Sequence, residues 1–369
     1  MPHSPPIRLN IANTVTNLVR GDIQEHLPVE RISLEGDVLG LGTTTSVDNG
    51  ELTFLPSATG RTTELYKCPA VDGRPRRVHR GDGSSHFPYV CFTDDATDGA
   101  RPIDISSLPR PGAGGIAELI AEAIERLHEP APLYGMRLRA VWDELIITVA
   151  SKLCMARRRR NEGLVTEEAD DSSIYDTLQH YRLAETAPPE PSPIVYLGNQ
   201  LTWECCGFYD MSPESGRVTV PDPTAPLHLH GASIDRAFGG HLQHQHTGSR
   251  LARLEGMVLY PIQEISHLAS DLSVRNAEFA RGNLSFEVHN EGELDVDDIG
   301  VDIVVDDRYS SRTYLRVPWL AAGAHERFEV PCTLQSGPHE LLITVDPTEN
   351  VIEPTSRRSN NSVQLTVRA

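Results

Sequence analysis

The chain has 369 residues, 39% of them hydrophobic and 23% charged, and a formal net charge of −19. That length asks for about two domains, and the composition is that of an ordinary globular protein. The acidic balance argues against a nucleic-acid partner, because phosphate-backbone binding rests on clustered Lys and Arg.

No run approaches the ~18 consecutive apolar residues of a membrane span, so no membrane partner is expected either. The opening MPHSPPIRLN has neither a basic n-region nor an apolar h-region, and a cytoplasmic location is the expectation. The six cysteines, Cys68, Cys91, Cys154, Cys205, Cys206 and Cys332, form no CxxC pair and read as free thiols of a reducing compartment.

In chain order, residues 1–28 are Pro-rich and read as an arm or a first edge strand. Strand texture begins at Ile32 with ISLEGDVLGLGT, ELTFLPS and TTELYKCPAV, and returns in FPYVCFT, Phe87 to Thr93. Ile116, Leu119, Ile120, Ala123, Ile124 and Leu127 recur at helical spacing and predict one amphipathic helix over 115–128. A strand pair follows, YGMRLRAV and ELIITVA, with its turn near Trp142 and Asp143. Residues 155–194 carry the basic run Arg157 to Arg160, read as a solvated loop, an acidic stretch, one helical turn around Tyr175 to Tyr181, and the stiff loop APPEPSP. Strands resume with IVYLGNQLTWECCGFYD, RVTV, a His-rich block and LARLEGMVLYPI.

From Asp271 onward about seven short strands alternate with period 2, with turn residues every 8–12 positions, as in a β-sandwich. The expected fold class is therefore mainly β (α+β): an N-terminal arm over 1–28, a β domain with one main helix over 29–267, and an immunoglobulin-like β-sandwich over 268–369.

The densest group of ligand-type side chains is His228-Leu-His230, followed by Asp235-Arg236 and Gly239-Gly240-His241. Residues i and i+2 of a strand face the same way, so both imidazoles of HxH reach one point. The glycines between supply turn material to return His241 on a neighbouring antiparallel strand. Three neutral imidazoles with an open fourth position describe a catalytic zinc site. Incidental clustering stays open on spacing alone. His244 and His246 fall on the opposite face from His241 and are expected to face solvent. No GxSxG elbow, Walker loop or dinucleotide fingerprint occurs.

This histidine series resembles the metal-binding signature of the acetolactate decarboxylase family. The resemblance extends in order through Gly40-Leu-Gly-Thr43, Asn49-Gly50-Glu51-Leu52, Phe87-Pro88, the helix at 115–128, Gly207-Phe208-Tyr209 and Leu259-Tyr260-Pro261, covering about residues 30–265. It implies His228, His230 and His241 as ligands of Zn2+ or another divalent transition metal. It also implies Glu51 as the catalytic acid of a lyase that decarboxylates a 2-hydroxy-3-oxo acid through a metal-bound enediolate. Taken by itself, Glu51 reads rather as an exposed strand residue beside the Asn49-Gly50 turn.

Two departures from the family stand out. The position of its active-site Arg is Thr148 here, with Lys152 and Arg137 as the nearest cations, and its tail Glu has no counterpart, Glu264 being nearby but unaligned. An enzyme redirected to another carbonyl substrate, such as a β-keto acid, and a non-catalytic metal- or ligand-binding protein therefore remain alternatives.

Asp271-Leu272, Val288-His-Asn290-Glu-Gly292, Val345-Asp346-Pro347, Asn350-Val-Ile-Glu353 and Asn360-Asn361 resemble the CARDB family of sandwich modules. Asp346, Glu353, Asn360 and Asn361 suggest a calcium site or, as the preferred reading, turn formers and hairpin caps. Protein docking or self-association is the role such a module implies, alongside a small oxo-acid substrate for the first domain.

Overall fold

The structure is a computed structural model that describes residues 6–19, 21–44, 50–69, 73–79, 86–110, 115–150, 178–183, 201–246 and 248–368. The chain divides into two compact units: residues 1–23 with 28–267, and residues 24–27 with 268–369.

The first unit is built on one antiparallel sheet of thirteen strands among the described residues. Its longer strands are β1 (Ile7–Ala12), β2 (Gly40–Thr43), β3 (Gly50–Pro56), β4 (Thr63–Pro69), β5 (Tyr89–Thr93), β6 (Leu133–Ala150), β7 (Leu178–Leu183), β8 (Thr202–Asp210), β9 (Leu227–Ser233), β10 (Gly239–Leu242) and β11 (Arg250–Leu268). They follow the order β8-β9-β10-β6-β11-β1-β5-β2-β3-β4, with β7 pairing β6. β1 lies inside this sheet, between β11 and β5, rather than at an edge. Its Ile7, Leu9 and Ile11 are all buried, which an edge position does not require.

The expected hairpin over 136–150 is instead a single strand of 18 residues, β6. No Gly or Pro falls between Ala140 and Glu144 to turn the chain. The irregularity appears as register shifts against β11 at Arg139/Ala140, Val141/Trp142 and Trp142/Glu144. Such bulges bend a strand without ending it. The bend lets the first half of β6 pair with β8 and its second half pair with β10. Since β8 pairs β9 and β9 pairs β10, these four strands close on themselves.

Two further expectations are corrected. Residues 178–183 form a strand against 145–150, not a helical turn, because β6 offers them an unpaired ladder. RVTV, 217–220, is not a strand but bends through irregular backbone. The basic run 157–160 and the loop APPEPSP lie outside the described residues.

The helix forms over Gly115–Leu127, as the spacing predicts. Its Ile116, Ile120, Ala123 and Ile124 pack against Tyr134, Met136, Leu138 and Ala140 on one face of β6. Full burial of each large aliphatic side chain there stabilises by about 1.5–3 kcal/mol. That leaves the opposite face of β6 and its neighbours for chemistry.

The second unit contains β12 (Leu272–Ala280), β13 (Asn283–Asn290), β14 (Val296–Val305), β15 (Arg308–Leu320), β16 (His325–Pro331), β17 (Pro338–Val345) and β18 (Ser362–Arg368). They form two sheets, β12-β13-β16 and β15-β14-β17-β18. Leu272, Leu284, Phe286 and Val288 of one sheet meet Ile299, Val301, Leu341 and Ile343 of the other in a shared core, which makes this unit the β-sandwich its alternation predicts.

Candidate metal centre

Antiparallel register decides which side chains meet. His230 on β9 stands directly opposite His241 on β10, and His241 stands opposite Thr148 on β6. On the other side His230 pairs with Cys206 of β8, which pairs with Arg137. Directly opposed residues share a face, so this row points away from the helix. His228, two residues from His230, joins it. The ligand atoms of His228, His230 and His241 all lie within 4.8 Å of one another.

The separation between the Nε2 atoms of His228 and His230 is 3.0 Å. Tetrahedral coordination with metal–nitrogen bonds of 2.0–2.1 Å sets nitrogen pairs about 3.3 Å apart, so the spacing fits a divalent ion. The outer nitrogens are already used. His230 Nδ1 donates to the Leu52 carbonyl at 2.6 Å, and His228 Nδ1 makes a short contact to the Val218 carbonyl. Those bonds fix the tautomer that leaves Nε2 with its lone pair facing inward, the outer arrangement typical of metal-bound histidine. Burial pushes the pKa of His228 down to about 4, the nearby His244 adding to the fall against the Val218 carbonyl. Burial also lowers His230 well below its ordinary value, with His228 beside it contributing. Both rings are thus held neutral, the form that ligates. His241 is less enclosed than the other two, which leaves approach from its side.

Glu51 enters from β3. Its Oε2 lies 3.9 Å from His230 Nε2, and the side chain is buried. The register Tyr89–Thr43–Glu51–Cys68 across β5, β2, β3 and β4 puts Tyr89 and Thr43 on the face that Glu51 occupies. Tyr89 Oη is 3.4 Å from the Val218 carbonyl, the same atom that holds His228. Burial raises its pKa well above the ordinary phenol value, with Cys91 and the Glu51 charge adding to the rise. The Oγ1 of Thr43 is buried without a hydrogen-bond partner among the described residues.

All four residues singled out in the sequence, His228, His230, His241 and Glu51, therefore converge. The cations do not. Arg137 is engaged by Asp37 at 2.9 Å, by the Val38 carbonyl at 2.8 Å and by the Phe54 carbonyl. It stands two strands from His230, about 10 Å at sheet spacing. Lys152 lies outside the described residues. Thr148 is fully buried and accepts from Gln243 Nε2 at 3.1 Å. Glu264 pairs with Arg8 at the surface. His246 is exposed as expected, but His244 is half-buried, with Nε2 on the Leu227 carbonyl at 3.1 Å.

Sequence reasoning missed Tyr89, Thr43 and the Leu52 and Val218 carbonyls. Tyr89 and Thr43 were reachable from Glu51 by strand parity, had the register of β2, β3 and β5 been visible. A backbone carbonyl carries no sequence signal at all.

Residues 272–364 match the CARDB family model. No curated protein matches the chain. Among solved structures, α-acetolactate decarboxylase from Bacillus subtilis strain 168 is similar at 16% identity, over 70% of this chain and 88% of that one, with a TM-score of 0.47. A Staphylococcus aureus protein of unknown function, described as similar to that enzyme, aligns at 14% identity over 70% and 88%, with a TM-score of 0.46. The CARDB domain of a Pyrococcus furiosus protein in complex with di-metal ions aligns at 21% identity over 27% of this chain and 88% of that one, with a TM-score of 0.22. The family-model match lies wholly within the second unit.

Proposed function

We propose that the first unit is a metal-dependent carbon–carbon lyase acting on a 2-hydroxy-3-oxo acid, with Zn2+ or another divalent transition metal held by His228, His230 and His241. The observation that carries this reading is the buried Glu51 carboxyl, 3.9 Å from a ligand nitrogen of the three-imidazole cluster. A carboxyl so placed can return to carbon the proton that a decarboxylation requires. A bound divalent ion supplies Lewis acidity toward the hydroxyl and carbonyl oxygens of the substrate.

The chain's own residues do the rest. The imidazoles keep fixed orientations through the Leu52 and Val218 carbonyls. Glu51 holds the proton that replaces carbon dioxide on the substrate carbon. Thr43 Oγ1 offers a buried hydroxyl to a substrate oxygen. Burial of His228, His230 and Glu51 limits water at these groups, which strengthens each of these contacts.

Elemental analysis of the wild type and of His230→Ala, followed by an assay with acetolactate for carbon dioxide and acetoin, tests the reading. About one metal per chain, absent in the variant, with carbon dioxide released only by the wild type, is the expected result. Metal-free wild type that does not reload would overturn it.

One observation favours a second reading with the same fold and metal. Thr148 occupies the place where the acetolactate decarboxylase pattern has an Arg, and it is closed in by Gln243 and paired with His241. A substrate held there without that cation is another carbonyl compound, such as a β-keto acid. Bound metal with no turnover of acetolactate selects this reading.

A further inference from the structure

The connection between β17 and β18 carries Asp346, Glu353, Asn360 and Asn361, and the structure divides them by role. Asp346 is a turn former: its carboxylate accepts from the backbone amides of Asn350 and Val351, both at 2.9 Å. The other three gather at the start of β12. Glu353 Oε1 accepts from the Leu272 amide at 2.9 Å, and Oε2 accepts from Asn361 Nδ2 at 2.8 Å. Asn360 Nδ2 donates to Asp271 at 3.0 Å.

Both asparagines give their nitrogens to a carboxylate, and both leave Oδ1 buried with no hydrogen-bond partner among the described residues. Asn361 is only 6% exposed and Glu353 only 5%. An amide oxygen buried without a donor costs free energy, and each of the two needs an explanation. Glu353 is also costly as an anion: burial raises its pKa, and the Asp271 charge adds to the rise against the hydrogen bonds that lower it.

We propose that Asp271, Glu353, Asn360 and Asn361 form the protein side of a binding site for a hard divalent cation of the calcium class. The donors are all oxygen, two carboxylates and two amides, which suits Ca2+ and its irregular shell of six to eight oxygens. A cation satisfies the orphaned amide oxygens and neutralises both carboxylates at once. A trapped water offers hydrogen bonds but no charge. The donor set holds no nitrogen or sulfur ligand, so it does not compete with the histidine centre for a transition metal. Water completes the coordination.

The full chain, given one equivalent of zinc so that the histidines are satisfied, is titrated with CaCl2 by calorimetry, beside Asn361→Ala and Glu353→Gln. One site is expected, with Kd between about 10⁻⁴ and 10⁻³ M as in other modest oxygen-only sites. Each variant weakens it at least tenfold, and MgCl2 at the same concentration gives no comparable heat. Absence of binding at about 10 mM CaCl2, well above that range, overturns the proposal and leaves a water-closed hydrogen-bond network. Wild-type affinity in both variants overturns it equally. Should neither buried variant fold, Asn360→Ala, whose side chain is only half-buried, decides by the same criterion.

Discussion

Single side chains set the chemistry of the histidine centre, and each has a separable effect. His230 is nearly inaccessible and is held by the Leu52 carbonyl, so His230→Ala removes a ligand of fixed orientation. Metal content is expected to fall from about one ion per chain to near zero, as losing one of three ligands removes the chelate. Glu51→Gln keeps the shape and removes the proton. Elemental analysis should then read full metal occupancy while turnover of the accepted oxo acid falls by about 10²–10⁴, the range for a lost general acid. Loss of metal in that variant would recast Glu51 as a ligand.

The thiols behave differently. Burial raises Cys91 to about 12, against the smaller lowering by Tyr89, and raises Cys205 further still. The reactive thiolate is therefore scarce at neutral pH. Peptide mapping after iodoacetamide treatment of the native protein should find Cys91 and Cys205 unmodified and Cys332, which is partly exposed, modified.

At the level of elements, the face bearing the site depends on how closely β2, β3 and β5 approach. A Cβ added to Gly42 would lie 2.9 Å from the Val90 Cα. Backbone has to shift to admit it, because that neighbour is not a flexible side chain. Gly42→Ala should destabilise the first unit by about 1–3 kcal/mol, read as a lower denaturant midpoint at unchanged slope. The helix tests the other face. Ile120 is fully buried against β6, and Ile120→Ala should cost about 2–5 kcal/mol while leaving metal stoichiometry intact. If Ile120→Ala also loses metal, the two faces of β6 are coupled more tightly than their separate packing indicates.

How far each element was legible follows from whether its signal is local. The helix was legible because its apolar positions repeat every three to four residues. β6 was misread as a hairpin, since its bend comes from bulges against β11 and leaves no turn residue to see. β7 was misread because its partner ladder, 145–150, lies 28 or more residues away in sequence.

Across the whole molecule, two units with separate cores predict separable unfolding. Calorimetry of the full chain should show two transitions. A transition-metal chelator such as 1,10-phenanthroline should lower only the one belonging to the first unit, because a ligand stabilises the state that binds it by RT ln(1 + [L]/Kd), about 2.7 kcal/mol at 100-fold excess over Kd. Equal shifts in both transitions would show that the units unfold as one.

Composition and pattern by themselves determined the two-part organisation, the mainly β class, the main helix, the sandwich alternation and the HxH and GGH spacing. Each of these is written in neighbouring residues, through a period of 2 or 3.6 or a two-residue offset on one strand. Only the tertiary structure decided that β1 sits inside the sheet and that β6 runs unbroken. It alone brought Glu51 to His230 across 179 positions of sequence, withdrew Arg137 into Asp37, and aimed the Leu52 and Val218 carbonyls at the imidazoles. The reason is physical: register between distant strands and the placement of backbone carbonyls are set by how whole faces pack, and no local period encodes them.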